Sequence, residues 1–111
     1  RPPRKVFHLT PAGESAFNQW LIEPVRLPRE MRLDFMLKLY FASKEAPEIA
    51  AMLIQRQQEA CAQWLKTQAD ADATHPYIRV VRRYRRGHIE AIRDWLAWLP
   101  AELVGEEQPV E

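Results

Sequence analysis

The chain has 111 residues, 47% hydrophobic and 28% charged, which is a globular composition sized for one domain with a modest core, or for a small domain plus an arm. A formal net charge of +1 excludes a polycation, 3 glycines argue against a turn-rich all-β fold, and no apolar run approaches the roughly 18 residues of a membrane helix. One cysteine, Cys61, excludes an intrachain disulfide framework and fits a reducing, cytoplasmic setting.

The first element is KVFHLT, residues 5–10, in which Phe7 and Leu9 alternate with Val6 and His8, the pattern of a short half-buried strand. Thr10 follows as an N-cap, with Pro11 at the first helical position, where its missing N–H costs nothing. Ala16, Phe17, Trp20 and Leu21 form one apolar face of this helix. Pro24 ends it, and residues 23–29 read as an extended linker. A second helix is predicted over Glu30–Ser43. Met31, Leu33, Phe35, Met36, Leu37, Leu39, Tyr40 and Phe41 leave it little polar surface, so it belongs in the core or between chains. Pro47 opens a third helix expected to run to about Asp72, about 39 Å at 1.5 Å per residue. Residues 71–76 form the turn. A fourth helix is predicted from about Tyr77 to Leu99, stopped by Pro100, with a frayed acidic tail beyond. The expected fold is mostly α: a short strand, then about four helices including a long antiparallel hairpin.

The fourth helix has the clearest periodicity. Tyr77, Val81, Tyr84, His88, Ala91, Trp95 and Trp98 alternate steps of four and three, a heptad seam. A second stripe, Ile78, Ile89, Ile92, Leu96 and Leu99, lies beside it, and Arg79, Arg83, Arg86 and Arg93 fall on the opposite, solvated face. Two stripes bury two sides. One packs on the third helix, and the other needs a second subunit. With the turn centred near residues 73–75, Leu65 is expected to face Tyr84, Cys61 to face His88, and Leu53 and Ile54 to face Trp95 and Leu96. The third helix's inner stripe is Ala50, Leu53, Ile54, Gln57, Ala60, Cys61, Trp64 and Gln68. Its two glutamines are register pins, interface hydrogen bonds or the lining of a cavity.

Catalytic and metal-binding motifs are missing from this sequence: there is no CxxC, HExxH, GxSxG, P-loop or GxGxxG. His8, His75 and His88 show no metal-ligand spacing, and Ser15 and Ser43 have no partners. Cys61 opposite His88 is a thiolate pair in principle, but no third group orients the histidine, so packing is the stronger reading. Neither enzyme chemistry nor a cofactor is expected. Four tryptophans and three tyrosines read first as core and dimer packing, and second as an aromatic-lined pocket. The candidate pocket is Gln57, Cys61, Trp64, Tyr84 and His88, for a small aromatic or apolar effector.

The charge is uneven. Residues 1–10 hold Arg1, Arg4 and Lys5 with no acid, and residues 101–111 hold Glu102, Glu106, Glu107 and Glu111 with no base. The opening, RPPRKVFHLTPAG, resembles the wing of PadR-type transcriptional regulators, in which a pattern close to RPPRK-V-aromatic-x-LT-P-x-G closes the wing and starts the next helix. Arg1, Pro2, Pro3, Arg4, Lys5, Val6, Phe7, Leu9, Thr10, Pro11 and Gly13 match it in order. EPVRLPREMRLDFMLKLYF and RGHIEAIRDWLAWL are similar to the linker, first C-terminal helix and last dimerising helix of that family's longer, virulence-activator-type branch.

The resemblance implies a layout: residues 1–22 as the end of a winged-helix domain, 23–29 as a linker, 30–105 as a C-terminal helical dimerisation domain, and 106–111 as an acidic tail. It implies auxiliary DNA contacts by Arg1, Arg4 and Lys5, too few for more than weak, salt-sensitive affinity. The family's helix-turn-helix lies upstream of the wing and is not in this sequence. The chain therefore reads as a processed or trimmed piece, and operator DNA is a partner of the intact protein only. A homodimer is expected through Phe35, Leu39, Trp64, Ile92, Trp95, Leu96, Trp98 and Leu99. The alternative is a free-standing helical-hairpin interaction module with no DNA role. No membrane partner is expected.

Overall fold

A computed structural model describes residues 10–69 and 74–107, with side chains to Leu103 in the last helix. Four α-helices follow in order, α1 (Pro11–Ile22), α2 (Asp34–Glu45), α3 (Pro47–Ala69) and α4 (Pro76–Glu107), with a 3-10 turn at Pro28–Met31 between the first two. No strand occurs among the described residues. The expected strand at residues 5–10 and the side chains of Arg1, Arg4 and Lys5 fall outside the described residues, apart from Thr10. α3 is central, packing along α4, α2 and α1, and α1 also packs on α2.

Thr10 caps α1 as its sequence position requires: its Oγ1 accepts the Gly13 N–H at 3.0 Å, with Pro11 at the first turn. After Ile22 the chain is extended, but it is not a free linker. The Gln57 amide from α3 accepts the Val25 N–H at Oε1, 2.8 Å, and donates from Nε2 to the Val25 carbonyl at 3.2 Å. Trp64 Nε1 donates to the Arg26 carbonyl at 3.1 Å. Glu30 Oε1 accepts the N–H groups of Arg26 and Leu27 at 3.0 and 3.1 Å. The segment is a strap pinned across α3, and each pin satisfies backbone groups that no ladder would otherwise pair.

The second helix starts four residues later than the sequence predicts. Pro28 holds Leu27 extended, and Glu30 turns back to cap that backbone, so residues 28–31 close a 3-10 turn and α2 begins at Asp34. α2 buries Phe35, Lys38 and Ala42 and leaves Met36, Leu37, Tyr40 and Phe41 exposed, with Leu33 exposed just before it. An all-round apolar helix thus covers one side only within this chain. Lys38 is the unexpected inward residue, 5% exposed. Its Nζ donates to the Trp20 carbonyl at 2.7 Å and sits 4.3 Å from the Trp20 ring centroid. Burial pulls its pKa down, against the opposing pull of Glu23, Asp34 and Glu30. The clasp joins α1 to α2 at the corner where the strap leaves.

The hairpin forms close to the expected register. Cys61 Sγ donates to the carbonyl of Ile89, 3.6 Å, one residue beyond the expected His88. The core is Leu21, Val25, Met31, Phe35, Ala42, Ala50, Leu53, Ile54, Cys61, Ile89, Ile92, Leu96 and Leu99. Each fully buried large aliphatic or aromatic side chain contributes about 1.5–3 kcal/mol.

Pro100 does not stop α4, which continues to Glu107. A mid-helix proline removes the N–H that would bond the carbonyl four residues back, here that of Leu96. Gln58 Nε2 from α3 donates to that carbonyl instead, at 3.1 Å. Packing of Leu99 and Leu103 on either side of the proline holds the last turns in line.

Candidate interaction surface

The two stripes of α4 separate over its C-terminal half; nearer the start of the helix Ile78, expected on the inner stripe, is exposed, and Val81 of the seam is half-buried. Ile89, Ile92, Leu96 and Leu99 are buried on α3, whereas the heptad seam faces out: Tyr77, Tyr84 and Trp98 are 67, 77 and 52% exposed, and His88 and Ala91 are exposed with them. Trp95 lies between, half-buried, with its ring edge-on to Phe35 at 5.9 Å. The most regular pattern in the sequence is therefore the one that this chain leaves uncovered.

Two adjoining grooves run between α4 and the end of the strap. One, about 540 Å³, is lined by Leu27, Pro28, Arg29, Gln68, Tyr84, Arg85, His88 and Ile89. The other, about 560 Å³, is lined by Pro28, Arg29, Met31, Arg32, Met36, His88, Ala91, Ile92 and Trp95. Pro28, Arg29 and His88 belong to both. The walls carry three arginines and a histidine but no carboxylate, over an apolar floor. The surface suits an acidic, amphipathic occupant.

The five residues of the expected effector pocket do not converge. Gln57 is buried against the strap and Cys61 against α4, and Trp64 anchors the strap. Tyr84 and His88 line the outer groove instead. Burial raises the Cys61 thiol pKa, so the group stays a neutral thiol packed on a carbonyl, and His88 is not its base. Of the expected dimer residues, Phe35, Ile92, Leu96 and Leu99 are buried by this chain's own helices, and Leu39 and Trp64 are half-buried against the same core. Trp98 and the outer edge of Trp95 remain available.

Sequence reasoning did not find Arg29, Arg32 and Met36. They reach the groove because the 3-10 turn folds the chain back beside α4, and no local pattern reports that. Among the described residues no group of His, Cys, Asp and Glu could hold a metal ion, and no helix is long and apolar enough to cross a membrane. Comparison with protein-family models, curated proteins and solved structures finds no match to this chain.

Proposed function

We propose that this chain is the dimerising C-terminal part of a DNA-binding transcriptional regulator similar to the PadR type. The exposed heptad seam of α4 carries the reading. A seam of Tyr84, His88, Ala91, Trp95 and Trp98 beside an already satisfied inner stripe is the arrangement of a helix with a second partner. The DNA role rests on the wing-like pattern of residues 1–13, which runs directly into the Thr10-capped α1. The pinned strap and the Lys38 clasp favour it further, because a regulator must hold its DNA-reading heads at a set spacing from its dimer core. Operator selection then belongs to the intact protein.

Sedimentation equilibrium over a wide concentration range tests the dimer half: a reversible dimer, weakened at least tenfold by Trp98→Ala, is expected. A monomer at every concentration would favour the free-standing interaction module. Peptide mapping of the natural polypeptide tests the DNA half. A helix-turn-helix upstream of Arg1 is expected, and a natural start at Arg1 would remove the regulator reading.

A further inference from the structure

Arg29, Arg32 and Arg85 reach the two adjoining grooves from distant segments, the 3-10 turn and α4. Their side chains make no hydrogen bond or ion pair among the described residues. Two carboxylates of the same segments are already engaged: Glu30 accepts the Arg26 and Leu27 N–H groups, and Glu90 pairs with Arg86 at 3.2 Å. Arg82 stands one turn before Arg85 on the same side of α4, and its Nη1 is buried with no hydrogen-bond partner among the described residues. A buried cationic donor without an acceptor is costly, and so are like charges held together in one groove. This corner of the fold therefore lacks anionic acceptors, and the chain's own described residues do not supply them.

We propose that the paired grooves form a binding site for a nucleoside di- or triphosphate. Charge selects the phosphate chain. A single carboxylate would neutralise one of three guanidinium groups, whereas a di- or triphosphate can match all three, and the planar guanidinium fork suits phosphate oxygens. Shape selects the rest of the ligand. The first groove is the more polar end, with Gln68, Arg85 and His88, and the second has an apolar floor of Met36, Ile92 and half-buried Trp95. From Arg85 to Ile92 is about 10 Å along α4, so one ligand can hold phosphates at one end and lay a flat base on the indole at the other. The groove volumes of about 540 and 560 Å³ are those of small-molecule sites. Arg85 stands about 100° round the helix from Tyr84 of the seam, so the phosphate end lies beside the seam rather than on it. The site belongs to this chain and does not depend on the regulator reading.

Calorimetric titration of the 111-residue chain at about 0.15 M salt tests it, with magnesium-free ATP as the probe. Saturable one-to-one binding is expected, at least tenfold tighter than for inorganic tripolyphosphate or for benzoate. Arg29→Gln and Arg85→Gln should each weaken ATP at least tenfold. Arg83→Gln, the same loss of charge on the opposite face of α4, should leave the affinity within about twofold. Trp95→Leu should erase the advantage of ATP over tripolyphosphate, and circular dichroism confirms that each variant keeps its helices. Absence of ATP binding would overturn the proposal. Equal weakening by Arg83→Gln would reduce the binding to diffuse attraction and overturn the site. Benzoate binding as tightly as ATP would overturn the phosphate assignment, and an oligothymidine strand binding more tightly than ATP would replace the free nucleotide with single-stranded nucleic acid. Each of these results leaves the dimer and regulator readings to their own tests.

Discussion

The two stripes of α4 lie side by side on one helix yet have opposite fates. Ile89, Ile92, Leu96 and Leu99 are buried against α3, while Tyr84, Ala91 and Trp98, on the same helix, face out. The inner stripe is aliphatic and shares the core with Ala50, Leu53, Ile54 and Cys61 of α3. The outer stripe is aromatic and amphipathic: Tyr84 and His88 have polar tips that tolerate water until a partner arrives. Aromatic side chains with a wet end suit a surface that must be stable both covered and bare. Regularity of spacing identifies a helix that buries a face, and residue chemistry indicates whether the cover comes from the same chain.

Mutations separate the stripes. Leu96→Ala removes a fully buried side chain and should cost about 2–5 kcal/mol of unfolding free energy in urea denaturation. Trp98→Ala should leave that stability within about 1 kcal/mol when measured at concentrations where the chain is monomeric, and should act on association instead. Equal losses of stability for the two would erase the distinction between the faces.

The strap supplies the next largest effect. Gln57→Ala strips both hydrogen bonds from buried Val25 and should cost about 2–3 kcal/mol, with faster hydrogen exchange at Val25. An exchange rate unchanged at Val25 would mean that the strap holds without its amide clamp.

Pro100 and Gln58 form a compensating pair, so their substitutions should not add. Pro100→Ala restores the helix bond to the Leu96 carbonyl and should stabilise by about 1–2 kcal/mol. Gln58→Ala should cost about 1 kcal/mol alone and close to nothing beside Pro100→Ala. Strict additivity in that cycle would show that the Gln58 bond is not a replacement.

The smallest effect is a pH dependence of the inner stripe. Burial raises the Cys61 pKa in the folded chain above the ordinary thiol value of about 8.5. A folded-state pKa that is raised favours the protonated group, so this contribution is fully present below pH about 8.5 and is lost as the pH rises through the folded value. Lys38 acts in the opposite sense: its lowered folded pKa penalises the fold while the amine is charged, and the penalty fades as the pH climbs toward the ordinary lysine range. Cys61→Ala should therefore flatten the alkaline fall in stability, and Lys38→Met should steepen it. Identical alkaline slopes for native and Cys61→Ala chains would show that the thiol is not linked to folding.

Much of the fold was legible locally. Thr10 and Pro11 mark the start of α1, Pro47 marks the start of α3, and the inner stripe of α3 is the one the sequence shows, because caps and periodicity are properties of residues a few positions apart. None of the three readings open for Gln57 named the strap, and its bonds to Val25, 32 positions away, show that it clamps that segment. The expected pocket failed for a related reason. Helical spacing put Cys61, Tyr84 and His88 near one another, but a shift of one residue, or 100° of rotation, sends one side chain into the core and its neighbour out to solvent.

The sequence by itself determined which segments are helices, where three of the four begin, and that α4 has two apolar sides, since these depend on short-range sterics and on periodicity. Only the tertiary structure decided which side of α4 the chain covers, that Lys38 turns inward while Leu37 and Tyr40 stay out, and that α4 passes through Pro100. Each of those outcomes depends on a group from a distant segment: the core face of α3, the Trp20 carbonyl, and the Gln58 amide. A local pattern states what a segment can bury or satisfy, and the partner that arrives in space determines which of those possibilities is realised.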